Sequence, residues 1–211
     1  DIFVSPLIKD NIALYLEKRE DRFDRVLGLV KAQKKTGIIY VQSRKKSETL
    51  AKQLQHNGCE AQFYHAGIAE GEKATRLSNW LNSPTQVMVA TSAFGMGIDK
   101  PDVRFVVHLD MPKSIESYYQ ETGRAGRDGL PSEVLMLYGL QDVAMLWSMV
   151  NSSEADQQHK MLESRKVSAL LGFCETTHCR RKVILEYFGE KVEEDKHQCN
   201  NCDTCLYPVT N

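Results

Sequence analysis

Residues 37–42 read G-I-I-Y-V-Q, a short apolar run rich in β-branched side chains. A strand that faces water on one side alternates apolar and polar residues. A run without that alternation has the look of a strand buried on both faces of a parallel sheet. Parallel neighbours cannot be joined by a tight turn and need a crossover, usually a helix. The flanking sequence supplies such helices. Residues 21–35 place Phe23, Val26, Leu27 and Val30 at helical spacing and end in Lys31, Lys34 and Lys35, which suit a helix C-terminus, with Gly37 as the expected stop. A second helix is expected near 45–57, with Leu50, Ala51 and Leu54 inward and Gly58 at its end.

The same alternation continues. Strands are expected at 60–64, 86–90, 104–109 and 133–138, and helices near 70–81, from Ser114 to about Thr122, and over 140–150. Residues 11–17, N-I-A-L-Y-L-E, alternate only roughly, as an edge or half-buried strand would. The class is therefore α/β with a mainly parallel sheet, and right-handed crossovers place helices on both faces. Ligand-facing loops then lie at the carboxyl ends of the strands. The polar stretch 150–160 marks a boundary between a unit at 1–151 and a helical unit at 152–211. In the second unit a helix over 157–174 carries Met161, Leu162, Val167, Leu170 and Leu171 on its apolar side, and another over about 179–188 carries Val183, Ile184, Tyr187 and Phe188.

Charge gives no global sign of a polyanionic partner. The net charge of the 211 residues is −1, with 19 basic and 18 acidic side chains in 1–151 and 8 and 10 in 152–211. A nucleic-acid contact must then use local clusters, such as Arg44-Lys45-Lys46 or Arg180-Arg181-Lys182, or backbone N–H groups. No apolar run is long enough to span a bilayer and no signal-peptide pattern opens the chain, so no membrane partner is expected. The chain starts at Asp1 without Met, which suggests a piece of a longer protein.

The stretch Y-Y-Q-E-T-G-R-A-G-R-D-G, 118–129, carries Arg124 and Arg127 framed by Gly123, Gly126 and Gly129. Glycine permits positive φ and close approach to a ligand, and guanidinium is a permanent charge whose planar fork fits phosphate oxygens. The bland alternative is a surface loop whose arginines pair with nearby carboxylates. Near the end, Cys199, Cys202 and Cys205 form C-x2-C-x2-C, with Cys179 upstream at a helix start. Thiolates on a tight turn, completed by one from a second element, suit a closed tetrahedral zinc site. A helix N-terminus lowers a thiol's pKa and favours Cys179 as the fourth ligand. Cys174, His178 and His197 are alternative ligands, an iron–sulfur cluster is an alternative centre, and disulfides need a secretory context that nothing marks. Cys59 and Cys174 read as packing residues.

Residues 87–110, V-M-V-A-T-S-A-F-G-M-G-I-D-K-P-D-V-R-F-V-V-H-L-D, followed by S-Y-Y-Q-E-T-G-R-A-G-R-D-G, resemble motifs V and VI of superfamily-2 helicases, and their wording resembles the RecQ family of DNA helicases. The resemblance covers nearly the whole chain and extends to C-R-R…Y-F-G-E…C-x-N-C-D-x-C over 179–205, where it favours Cys179, Cys199, Cys202 and Cys205 around zinc. It implies a RecA-like second motor domain followed by a zinc-binding module. It makes Arg124 and Arg127 arginine fingers for ATP, with Arg127 the first choice. Gln120 couples nucleotide and DNA sites, and Gly97 and Asp99 belong to the nucleotide side. The bland reading of Asp99 is a turn residue before Lys100-Pro101.

On the DNA side the resemblance implies Ser43 and Arg44 of motif IV, Thr91 of motif V, and His65 of the H-A-G motif. The bland reading of His65 is a turn histidine bonded to backbone. His108, Trp80 and Trp147 read as core residues. The chain contains no G-x-x-x-x-G-K-[ST] loop and no D-E-x-H box, so ATP and Mg²⁺ are expected only with a first motor domain. Lys9-Asp10-Asn11 stands where relatives often read R-P-N. The partners implied are DNA, the first motor domain in cis and DNA-repair proteins. The location implied is intracellular, in cytoplasm or nucleoid for a bacterium and in the nucleus for a eukaryote. A non-catalytic zinc-bearing scaffold and an RNA helicase are the alternatives.

Overall fold

The computed structural model describes residues 9–92, 94, 95, 97–192 and 198–209. Among these, β1 (Ile12–Lys18), β2 (Gly37–Tyr40), β3 (Ala61–Tyr64), β4 (Val87–Ala90), β5 (Phe105–His108) and β6 (Ser132–Tyr138) form one sheet in the order β1-β6-β5-β2-β4-β3. Every pairing is parallel. The helices are α1 (Arg22–Gln33), α2 (Arg44–His56), α3 (Glu70–Leu81), α4 (Ile115–Thr122), α5 (Leu140–Ser152), α6 (Gln157–Glu175), α7 (Arg180–Tyr187) and α8 (Asp203–Leu206).

The short central strands explain both layers. In β2, Ile38 and Ile39 are fully buried but point to opposite faces. Ile39 joins Val26, Leu50, Leu54, Val89, Phe105 and Val107 under α1 and α2. Ile38 joins Met88, Val106, Val134 and Met136 with Trp80 of α3 and Tyr118 of α4. This second core runs on without a break through Leu170 and Phe173 of α6 to Ile184, Cys179 and Cys202. Trp80 is completely buried and its indole N–H donates to Gly37 O at 3.2 Å, which gives the polar handle a partner.

Two expectations change. Gly37 does not stop α1; Lys34 does, in the left-handed conformation at φ 49°, with its N–H on Val30 O. Gly37 opens β2, and a β-carbon there would overlap the ring of Phe105. It is glycine for packing. On α6, Met161 and Leu162 are exposed, and the buried face begins at Val167. The first two turns of α6 extend past the core they were expected to cover.

β1 is an edge strand, with alternating buried and half-buried residues. An open edge offers unpaired backbone groups to other chains. Here the segment before α8 covers it. Leu14 N–H donates to Asn201 O at 3.0 Å, Leu14 bridges Cys202, and Leu16 N–H reaches the Asp203 carboxylate at 3.4 Å. No helix among the described residues is long and apolar enough to cross a membrane.

Candidate functional site

Strands β2, β3 and β4 are neighbours, and their carboxyl ends bring Ser43, Arg44, His65 and Thr91 to one rim of the sheet. Ser43 is the N-cap of α2, its Oγ accepting from Lys46 N at 3.1 Å. Extended backbone at Ser43 and no acidic residue in the first turn leave a helix N-terminus lined by exposed Arg44, Lys45 and Lys46. Such a terminus favours an anion. Arg44 extends to the turn after β3, where a β-carbon on Gly67 would stand 3.0 Å from its Nη1. His65 is buried in that turn. Its Nδ1 accepts from Gly67 N at 3.0 Å and its Nε2 meets Glu48 Oε1 at 2.9 Å. Both ring nitrogens are engaged, the arrangement of a turn histidine. That hydrogen bond holds the exposed Glu48 carboxyl below its ordinary range. Thr91 follows β4, its N–H donating to Tyr64 O and its carbonyl accepting from Phe94 N.

The arginine loop follows α4, which Ser114 caps by accepting from Ser117 N at 3.2 Å. Gly123 ends the helix in a right-handed conformation, so positive φ is confined to Gly126 and Gly129 in this loop. Arg124 folds back over Gly95, donating from Nη1 to its carbonyl, and a β-carbon on Gly95 would overlap the guanidinium. Its Nε is buried without a partner among the described residues. Arg127 points outward. Its Nε donates to Gly123 O at 3.4 Å, and its Nη1 donates to Ile98 O and pairs with Asp99 Oδ1, each at 3.1 Å. Its Nη2 makes no hydrogen bond among the described residues. Asp99 is largely exposed, Gly97 sits beside it at φ +75°, and Gln120 is exposed on α4.

Between rim and loop lies a pocket lined by Gln42, Ser92, His108, Asp110, Lys113 and Glu121. His108 was expected to be a satisfied core residue. It is buried and its Nε2 meets Glu121 at 2.6 Å, but among the described residues Nδ1 has no partner. Asp110, unremarked in the sequence, accepts from Gln42 N at 2.9 Å and pairs with Lys46 and Arg22. Its only signal was its place just past an expected strand. Burial holds the neighbouring Tyr40 hydroxyl above its ordinary range.

The sulfur atoms of Cys179, Cys199, Cys202 and Cys205 lie within 4.8 Å of one another. Four thiolates bound to one zinc at about 2.3 Å stand roughly 3.8 Å apart, and Cys199 and Cys205 are 3.9 Å apart. The donor set therefore fits a zinc ion. Cys179 is the N-cap of α7 and Cys202 precedes α8. Cys202 is driven below the usual thiol range by hydrogen bonds from Cys179 and Cys199. Cys174 stays out of the cluster on α6, its thiol pushed up to about 12 by burial. His178 is not part of the cluster; its backbone N–H donates to Thr176 Oγ1 and its carbonyl accepts from Thr204 Oγ1. His197 lies outside the described residues. Arg180 and Arg181 do not form a nucleic-acid patch. Both are buried; Arg180 pairs with Asp203 at 2.7 Å, and Arg181 donates to backbone carbonyls. The adjacent C-R-R places them under the cluster because α7 turns that face inward.

Residues 19–129 match the helicase conserved C-terminal domain family, and residues 140–206 match the RecQ zinc-binding family. The chain is 43% identical over 207 residues to the ATP-dependent DNA helicase RecQ of Haemophilus influenzae, covering 98% of this chain and 33% of that protein. It is 40% identical over 214 residues to the RecQ-like DNA helicase blm-1 of Caenorhabditis elegans, covering 97% and 21%. The chain thus spans about a third or less of the length of these relatives. Among solved structures, the E. coli DEAD-box protein SrmB bound to regulator of ribonuclease activity A aligns with a TM-score of 0.57 and 25% identity, over 67% of this chain and 85% of that one. A DEAD box protein from Methanococcus jannaschii aligns at 0.54 and 25%, over 69% and 41%. A parallel sheet that carries the helicase C-terminal motifs and runs directly into a four-cysteine cluster of the RecQ type makes this chain a member of the RecQ helicase family.

Proposed function

We propose that this chain is the second motor domain and zinc module of an ATP-dependent DNA helicase that steps along single-stranded DNA, 3′ to 5′ by family resemblance. ATP and Mg²⁺ are held between this domain and a first motor domain that brings the phosphate loop and the acidic box. Arg127 is the principal finger. The observation that carries this reading is an exposed arginine whose Nη2 makes no hydrogen bond among the described residues and whose other nitrogens are anchored to Ile98, Asp99 and Gly123. The residue is oriented by its own fold and keeps donors for a γ-phosphate. Such a group neutralises charge that develops in the transition state. Arg124, lodged on Gly95, shapes the wall beneath it. Ser43, Arg44 and Thr91 meet DNA phosphates along the rim, and His65 holds the turn against which Arg44 rests. Zinc, when bound, supplies a structural cross-link with no part in hydrolysis. A DNA motor of this kind works in the nucleoid or nucleus, in repair and recombination.

The test is ATP hydrolysis, with and without single-stranded DNA, by a protein that carries the preceding motor domain. Hydrolysis stimulated by DNA and lowered roughly 10³–10⁵-fold by Arg127→Ala is expected. Hydrolysis indifferent to Arg127→Ala moves the finger to Arg124 or elsewhere. DNA binding without any hydrolysis favours the scaffold reading, and preferential stimulation by RNA favours an RNA helicase. Residues 1–211 alone are expected to hydrolyse no ATP.

A further inference from the structure

We infer that Asn11 and Arg181 are positioning residues that brace the arginine loop against the cysteine cluster. The kinetic consequence rests on the helicase reading above; the contacts do not. Residues 9–12 lead into β1 and lie between the two sites. Toward the loop, the Asn11 side-chain amide donates to Gly126 O at 2.9 Å and to Leu130 O at 2.8 Å. The Asn11 carbonyl accepts from Ser132 N at 3.0 Å. Gly126 takes φ +57°, and a β-carbon there would stand 2.5 Å from the Asn11 amide nitrogen. Only glycine lets the amide approach so closely.

Toward the cluster, Arg181 Nη2 donates to Lys9 O at 3.0 Å and to Ile12 O. Its Nη1 donates to Asn201 O at 2.9 Å and lies 3.4 Å from Cys199 Sγ. Asn201 closes the link, its amide donating to Asp10 O at 2.9 Å and its carbonyl accepting from Leu14 N. Arg181 is 6% exposed, so each of these carbonyls replaces water it has lost. A buried guanidinium in such a net has one good position, not a continuum.

The loop has other ties, Gly126 N to Val103 O at 2.9 Å and Asp128 N to Pro101 O at 3.0 Å. Those residues come from the segment just before β5. Asn11 supplies the tie from the β1 side, and Arg124 and Arg127 flank the residue it grips. A finger displaced by about 1 Å can lose on the order of a hundredfold in rate. The cysteine segment therefore sets the aim of the arginines through Arg181, the backbone of 9–12 and Asn11.

The experiment uses the zinc-loaded full-length protein, with Asn11→Ala, the donor-less isostere Asn11→Asp, and Arg181→Met. Three quantities are read: kcat and KM for DNA-stimulated ATP hydrolysis, zinc content, and hydrogen exchange of amides in 126–132. Both Asn11 variants should lower kcat about ten- to a hundredfold with KM changed less than about twofold, and retain zinc. Loop amides should exchange about tenfold faster, as expected for one lost hydrogen bond. Asn11→Ala added to Arg127→Ala should lower kcat no further. Arg181→Met, and zinc withdrawal from the wild type, should accelerate exchange in the same loop. Unchanged loop exchange in the Asn11 variants overturns the brace, as does a loss of kcat matched by a rise in KM and a lower Tm. Unchanged loop exchange on zinc withdrawal overturns the link to the cluster. If the wild type hydrolyses no ATP, the motor reading fails and the exchange measurements alone decide the brace.

Discussion

Arg127 on the glycine loop and the arginines 180 and 181 at the start of α7 are held in opposite ways, with Arg124, folded back on Gly95, between them. Arg180 is buried and spends its donors on the Asp203 carboxylate and Phe173 O. Arg181 spends both terminal nitrogens on carbonyls of residues 9–12 and the cysteine segment, and its Nε is buried without a partner among the described residues. Arg127 is exposed and anchored through two nitrogens, and its Nη2 makes no hydrogen bond among the described residues. Charge alone does not separate a ligand-binding arginine from a structural one. What separates them is whether the donor left over is exposed, as on Arg127, or buried, as at Nε of Arg124 and Arg181.

The comparison breaks most visibly if metal is withdrawn. Zinc in a four-thiolate site contributes on the order of 10 kcal/mol to folding. Chelation should therefore unfold the part that contains α7, α8 and the cysteines, and uncover the edge of β1. Near-ultraviolet circular dichroism and light scattering would report it. A chelated protein that keeps both signals would mean that arginine contacts, not metal, hold this region. Next, Arg180→Met leaves the Asp203 carboxylate without its guanidinium and should cost about 3–5 kcal/mol in urea unfolding. Arg127→Ala should stay within about 0.5 kcal/mol of wild type in the same assay. Equal losses would erase the distinction drawn between Arg127 and Arg180.

Smaller effects sharpen it. Ser43→Ala removes the α2 N-cap and should cost about 1 kcal/mol, readable as a shift in the urea midpoint. If Ser43 also meets DNA, affinity should fall by more than that stability loss explains. Asp128 tests the loop's own electrostatics. Its hydrogen bond from Arg104 at 2.5 Å holds the carboxyl below the ordinary range. A depressed folded value means that this stabilisation is present above the unfolded carboxylate range. It is lost as pH falls through the folded value. Asp128→Asn should flatten the decline of the urea midpoint below about pH 4 relative to wild type; an unchanged slope would show that the pair contributes nothing.

Most strands and helices are legible because a segment's period, buried face and terminal residue agree. Ser114 and Gly58, for example, sit where capping chemistry puts them. The order of the strands was not legible, since nothing local says that β1 lies beside β6. Gly37 misled because a glycine after a lysine-rich turn looks like a stop, whereas its cause is a ring brought from β5. Met161 and Leu162 misled because helical periodicity does not tell where the core ends. Arg180-Arg181-Lys182 read as a basic cluster because the partners that bury its arginines are out of local view: Asp203 for Arg180, and for Arg181 Asn201 and residues 9–12, about 170 positions away. The four thiols were legible from spacing, and the family resemblance chose among their rivals. The Asn11 bridge carried no local signal beyond its place in Lys9-Asp10-Asn11.

The pairing of β1 with β6 also governs how the chain comes off the ribosome. Ile12 has Ser132 as its register partner, so β1 must wait for about 120 further residues before its ladder can form. At about 5–20 residues per second that is roughly 6–24 s. Its other edge stays open until Asn201 and Cys202 arrive. During synthesis the first strand is thus the last to be enclosed, and a nascent chain stalled before the cysteines presents an unpaired strand to chaperones or to its neighbours on the same polysome.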